Sequence, residues 1–229
     1  MRKIFGHRGL PQVYRENTFK SLNKAQEVCD YVENTITSLN KALETCDYIE
    51  TDVRITRDEQ LVLYHDSTIE NKKIEELTLS QIKVFTDIDI SEMHFVSRDQ
   101  INGNANFELK INTEEDDLNK IFINKIINLT NPDDIISSFD WETILNNREI
   151  FKCKYGILID KENQLFESKA ISNLDTKLMF MVEKEIFYSR NFELPKERCV
   201  VWTVNDSDEI MNILNMDVYG VVTDIGDKL

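Results

Sequence analysis

The chain has 229 residues and carries 27 Lys+Arg against 42 Asp+Glu, a formal net charge of −15. That balance argues against a nucleic-acid partner, because duplex binding rests on Lys and Arg neutralising phosphates, and against an anionic membrane surface as a docking site. The 41% apolar fraction is that of a globular chain, and the length suits one domain over residues 1–229.

No apolar run reaches the ~20 residues needed to span a bilayer. The opening Met-Arg-Lys-Ile-Phe-Gly-His lacks the long apolar stretch of a secretory signal. Cys29, Cys46, Cys153 and Cys199 form no Cys-x-x-Cys pair and are too few for a disulfide scaffold. A cytoplasmic protein with reduced thiols is the expectation.

In chain order, Lys3–Gly6 is a brief strand ending at His7-Arg8-Gly9. Tyr48–Ile55 alternates as a strand does, with Ile49, Thr51, Val53 and Ile55 on one face and Glu50, Asp52 and Arg54 on the other. Leu61–Tyr64 follows after Thr56–Gln60. A parallel crossover needs a dozen or more residues, so these two strands form an antiparallel hairpin that returns His65 toward Asp52. Later strands are expected at Asn106–Ile111, Asp134–Phe139, Tyr155–Ile159, Lys177–Val182, Cys199–Val204 and Tyr219–Thr223. Helical patterns fall at Leu77–Phe85, Glu114–Leu129, Trp141–Asn147 and Asp206–Asn215. With the hairpin's return strand counted as an extension, eight βα units remain. The expected fold is an α/β TIM (β/α)8 barrel with a β-hairpin extension after strand 2, an open doubly wound sheet being the alternative.

The N-terminal region contains a tandem duplication. Residues 16–32 read ENTFKSLNKAQEVCDYV and residues 33–49 read ENTITSLNKALETCDYI, identical at 12 of 17 positions. A 17-residue offset turns a helical face by about 260° net, so the two copies cannot share one apolar stripe. A break is expected near Asp30–Thr35, where Asn34 or Thr35 caps a second helix. Two units are too few for a solenoid. The second copy has the fuller stripe, Ile36, Leu39, Leu43 and Cys46, and is the expected first barrel helix.

Polar residues gather at the strand ends: His7 and Arg8, Glu50 and Asp52, His65 and Asp66, Glu108 and Lys110, Asp140, Asn205, Thr223 and Asp224. In a barrel these ends converge on the catalytic face. Glu50 and Asp52, two apart on a strand, point the same way. Facing inward they repel unless a cation lies between them. Hard oxygen ligands select Mg²⁺ or Ca²⁺, with Glu108 as a third candidate ligand. Taken singly, His94 reads as a surface histidine and Trp202 as a packing residue.

The ordered blocks His7-Arg8-Gly9, Glu16-Asn17-Thr18, Ile49-Glu50-Thr51-Asp52-Val53, His65-Asp66, Glu108-Leu109-Lys110, Ser137-Ser138-Phe139-Asp140, Trp202-Thr203-Val204-Asn205 and Val222-Thr223-Asp224 resemble the glycerophosphodiester phosphodiesterase family. The resemblance runs from residue 4 to residue 225. It implies a TIM barrel, one divalent cation, and hydrolysis of a small-molecule glycerophosphodiester to sn-glycerol 3-phosphate and an alcohol. It further implies His7 and His65 as general acid and base, Arg8 and Lys110 as phosphate holders, and Glu50, Asp52 and Glu108 as metal ligands. Three positions depart from the family's pattern: Arg15 replaces a proline, Glu70-Asn71 stands where an arginine is common, and residues 88–105 are short and irregular. Two other readings compete: a phospholipase D-type phosphodiesterase on the same barrel, and a catalytically silent barrel serving as a binding module.

Overall fold

A computed structural model describes residues 2–9, 34–86, 88–111 and 116–229. Eight parallel strands close into a barrel: β1 (Lys3–His7), β2 (Tyr48–Ile55), β6 (Asn104–Leu109), β7 (Ile135–Ser138), β8 (Lys154–Ile159), β9 (Leu178–Glu183), β10 (Cys199–Trp202) and β11 (Gly220–Thr223). Closure comes from β1, which pairs with β2 on one side and β11 on the other. The hairpin partner β3 (Leu61–Leu63) runs antiparallel to β2, with Val53 opposite Leu63 and Ile55 opposite Leu61. A two-stranded ribbon, β4 (Thr68–Ile69) with β5 (Lys72–Lys73), follows it.

Side chains alternate between two apolar layers. Phe5, Tyr48, Ile135, Leu158, Met179, Met181, Val200 and Val222 fill the barrel interior. The opposite phase, including Ile49, Val53, Phe107, Ile157, Phe180 and Val221, packs outward against the helices. Every residue of β2 is buried. The polar face of that strand therefore points into the barrel, not to water.

Helices α1 (Ile36–Ala42), α4 (Asp116–Leu129), α5 (Trp141–Asn146), α6 (Gln164–Ile171), α7 (Lys184–Phe187) and α8 (Ser207–Leu214) cover the strands. The short α2 (Leu79–Phe85) and α3 (Ile90–Met93) belong to the segment between β5 and β6. Together with β3 and β4, that segment forms a separate apolar cluster of Val62, Tyr64, Ile69, Ile74, Leu77, Ile82, Ile88 and Met93. Arg98 pins its end to the barrel through the fully buried Asp134, at 2.8 Å from each carboxylate oxygen. Helix α6 was not among the expected helices. Its stripe is blurred, with Phe166 82% exposed and Ser168 fully buried.

The duplication resolves in favour of the second copy as the first barrel helix. Thr35 caps α1, its hydroxyl accepting from the Ser38 amide at 3.1 Å, while the Ser38 hydroxyl accepts from the Thr35 amide at 3.2 Å. Leu39, Ala42 and Cys46 join the main core, with Ile36 and Leu43 packed against them. The first copy, 16–32, lies outside the described residues. Cys46, Cys153 and Cys199 are buried free thiols. Among the described residues no helix is long and apolar enough to cross a membrane.

Leu39 is fully buried at the centre of the α1 contact. Leu39→Ala is expected to cost about 2–5 kcal/mol in denaturant unfolding, by lost transfer energy plus a residual cavity. A cost under ~0.5 kcal/mol, the size of a surface substitution, would show that the second copy does not pack in this way.

Candidate active site

Parallel register places the key side chains at one height. Glu50 pairs with His7 across β1–β2, and Asp52 pairs with Glu108 across β2–β6. Glu50, Asp52 and Glu108 point inward, each under a tenth exposed, and their nearest carboxylate oxygens lie within 4.8 Å of one another. Two cations answer them. Lys110 Nζ lies 2.9 Å from Asp52 Oδ1 and contacts Glu108 more closely still. Arg8 Nε lies 3.2 Å from Asp52 Oδ2.

The charge is unevenly balanced. Burial favours the neutral form of Asp52, but Lys110 and Arg8 overcome it and hold this carboxyl below its usual range. Glu50 feels the same two cations only at a distance, and their pull does not offset its burial. Burial, reinforced by repulsion from Asp52 and Glu108, pushes it well above the usual carboxylate range, and burial and Asp52 raise Glu108 against the pull of Lys110. Both Glu50 oxygens are buried without a hydrogen-bond donor. A buried orphan carboxylate is costly unless a cation or a proton completes it. This orphan, with two neighbouring hard oxygen donors, fits a divalent cation such as Mg²⁺ or Ca²⁺.

Two histidines flank the triad. His7 Nδ1 is 2.6 Å from Asp224 Oδ1, and its Nε2 is 3.8 Å from Glu50 Oε2. A carboxylate only accepts, so the Nδ1 proton faces Asp224 and Nε2 is left toward the site. Asp224 is itself held by Asn205, whose amide donates to Oδ2 at 2.5 Å and accepts from the Asp224 backbone at 2.9 Å. His65, carried back by the hairpin, repeats the pattern, with Nδ1 2.8 Å from Asp66 Oδ1. Burial lowers the basicity of His65 against the opposing pull of Asp52.

The turn after β1 depends on two left-handed residues, Arg8 (φ 44°) and Gly9 (φ 80°). A Cβ on Gly9 would lie 2.5 Å from the Ser38 hydroxyl, so only glycine lets the turn meet α1. Asn34 then ties the pieces together. Its backbone amide donates to the Arg8 carbonyl at 3.0 Å. Its side-chain oxygen accepts from Thr51 Oγ1 at 2.8 Å and the Asp52 amide at 3.2 Å, while its Nδ2 donates to Asp52 Oδ2 at 3.2 Å.

The cavity holding these groups has a volume of about 220 Å³. Six of the seven sequence-predicted residues line it, namely His7, Arg8, Glu50, His65, Glu108 and Lys110. Asp52, the seventh, lies fully buried behind Arg8 and Lys110. Trp202 and Phe139 form a wall, their rings edge to face at 5.9 Å. Trp202 is thus a wall of the site, not the plain packing residue expected. His94 sits elsewhere, 3.2 Å from Gln60 Oε1. Sequence reasoning named Asn34 only as a candidate helix cap, the role Thr35 takes, and missed its contacts at the site. It named Asp224 only as a strand end, although a carboxylate at the end of the strand beside His7 is a natural partner for that ring.

Residues 28–228 match the sequence model of the glycerophosphoryl diester phosphodiesterase family. Among curated proteins, none matches. A glycerophosphodiester phosphodiesterase from Thermotoga maritima superposes with a TM-score of 0.68 at 24% identity, over 100% of this chain and 96% of that one. A phosphodiesterase from Oleispira antarctica, solved in complex with the product sn-glycerol-3-phosphate, gives 0.70 at 14% identity, over 100% and 95%. A glycerophosphodiester phosphodiesterase from Parabacteroides distasonis gives 0.63 at 18%, over 99% and 94%. At these identities the likeness is one of fold.

The raised Glu50 and Glu108 give a signed prediction. Metal-free, their contribution to stability is fully present below the ordinary carboxylate range and is lost as pH rises through their raised values. A cation at the triad reverses that loss. Mg²⁺ or Ca²⁺ should therefore raise Tm more at about pH 7.5 than at about pH 5. Glu50→Gln should raise the metal-free Tm at neutral pH and shrink the cation-induced shift. Equal shifts at both pH values in the wild type would count against the triad as the cation site.

Proposed function

The chain belongs to the glycerophosphoryl diester phosphodiesterase family, a family of phosphoric diester hydrolases, and on that premise we propose that it hydrolyses glycerophosphodiesters to sn-glycerol 3-phosphate and an alcohol, with one divalent cation, Mg²⁺ or Ca²⁺, and two histidines as acid and base. The observation carrying this reading is a single cavity that joins an orphaned buried carboxylate, two site-facing cations and two carboxylate-oriented histidines.

Glu50, Asp52 and Glu108 would hold the cation, which supplies Lewis-acid polarisation of a phosphoryl oxygen. Arg8 and Lys110 take the remaining phosphate charge. Both are already fixed by Asp52, so they need little reorganisation as negative charge builds on the non-bridging oxygens. His7 and His65 each bind a carboxylate through Nδ1, which fixes ring orientation and leaves Nε2 for proton transfer. One ring accepts the proton of the attacking O–H while the other protonates the departing alcohol oxygen as its bond to phosphorus breaks, and water supplies the oxygen that ends on phosphorus. Leu158, Met181, Val222 and Trp202 form the apolar side of the cavity; they offer the glycerol carbons a dry surface and exclude stray water. The net charge of −15 does not oppose a small anion. Charges more than about 8 Å away are largely screened, and the phosphate meets the local cations.

The direct test is release of glycerol 3-phosphate from soluble glycerophosphodiesters with Mg²⁺ or Ca²⁺, and its loss on chelation. Absence of release with every divalent cation and head group would overturn the reading. His65→Ala should lower kcat by about 100-fold or more while keeping the cation-induced Tm shift. Loss of that shift would mean that His65 holds the metal.

A further inference from the structure

A second groove, of about 400 Å³, adjoins the catalytic cavity and shares Glu108, Lys110 and Phe139 with it. Its other residues include Arg54 from β2, Ser67, Thr68, Lys73 and Glu75 from the segment after it, and Ser138 and Asp140 from the end of β7. A diester whose phosphate lies on Lys110 has two arms, and the two cavities meet at that residue. Resting on the hydrolytic reading above, we propose that this groove holds the departing alcohol and selects an uncharged polyol, a glycerol or cyclitol head group, over a quaternary ammonium.

The wall chemistry carries the choice. Its charged groups are largely committed to the protein. Arg54 donates to Glu75 Oε1 at 3.1 Å and to the His65 carbonyl at 2.7 and 3.1 Å. Both members of the Arg54–Glu75 pair are under a tenth exposed, so they offset one another and leave no net charge to attract an ion. The Asp140 carboxylate caps α5, accepting from the Thr143 amide at 3.0 Å and its hydroxyl at 2.8 Å. Ser138 donates to the Leu109 carbonyl and accepts from the Asp140 amide.

Exposed Lys73, also on this lining, adds a positive charge that a quaternary ammonium would meet, and the remaining polar groups are neutral. Ser67 and Thr68 are exposed, and their hydroxyls make no hydrogen bond with a described residue. Each can donate and accept, which matches the hydroxyls of a polyol. A quaternary ammonium makes no hydrogen bonds and is recognised by several aromatic faces. The groove offers one ring, Phe139, and Lys110 Nζ already lies 5.9 Å from its centroid. A cationic head group would therefore meet a positive charge where it needs a cage.

The test compares kcat/KM on glycerophosphoglycerol, glycerophosphoinositol, glycerophosphocholine and glycerophosphoserine, with the metal-loaded full chain. The expected order places the two polyol diesters roughly tenfold or more above the choline diester, the scale of one or two net hydrogen bonds. The Ser67→Ala/Thr68→Val double variant should bring the polyol-to-choline ratio toward one, mainly through KM. Equal efficiency on all four substrates, or a preference for choline or serine, overturns the subsite while leaving the hydrolytic reading standing. Cleavage of none overturns both.

Discussion

Glu50, Asp52 and Glu108 crowd three carboxylates within 4.8 Å in a buried position. Two unit charges 4 Å apart interact by about 4 kcal/mol at an effective dielectric near 20, so the cluster would resist folding without compensation. Lys110 and Arg8 supply part of it, and both converge on Asp52. Glu50 remains without a donor. The site is thus built with a deficit of positive charge at a defined place, and much of the surrounding structure maintains that deficit. Strand β2 aims two carboxylates inward, β6 brings the third into register, and α1 covers the outer face of the sheet.

The same economy of parts orients the histidines. His7 arrives from the first strand and is braced by the last one through Asp224, so its position depends on barrel closure itself. His65 arrives from the hairpin, and its backbone carbonyl is gripped by Arg54. A buried ion pair such as Arg54–Glu75 contributes little net stability. Its value here is geometric, since it ties the hairpin's return to the strand that carries the carboxylates.

Much of this was legible in the residues. The bounds of β2 follow from its alternation, and the short Thr56–Gln60 connection dictates the hairpin. The inward turn of the polar face was less legible, because Glu, Asp and Arg on a strand ordinarily mark a solvated side. The coincidence of polar residues at matching strand ends carried the argument instead. The site role of Asn34 escaped because it is a set of contacts to Arg8, in the turn after β1, and to Thr51 and Asp52 of β2, which no local pattern connects. Helix α6 escaped because Phe166 faces solvent while Ser168 is buried, which inverts the stripe that marks a helix. Trp202 taken singly gives no sign of a site, because its neighbour Phe139 follows β7, three strands away around the barrel.

The hydrogen bond from the Asn34 amide to the Arg8 carbonyl also bears on how the duplication is tolerated. It clamps the two ends of the connection from β1 to α1 side by side, whatever lies between them. Residues 9–33 lie between the clamped pair, 25 residues against eight without the 17-residue copy, and that lengthening costs only on the order of 1 kcal/mol by logarithmic loop-closure scaling. The copy adjoining β2 is the one tethered at the right distance to place an Asn beside Asp52. Contour length upstream of the clamp is therefore a nearly free variable of this fold, and the active-site end of the barrel is insulated from it.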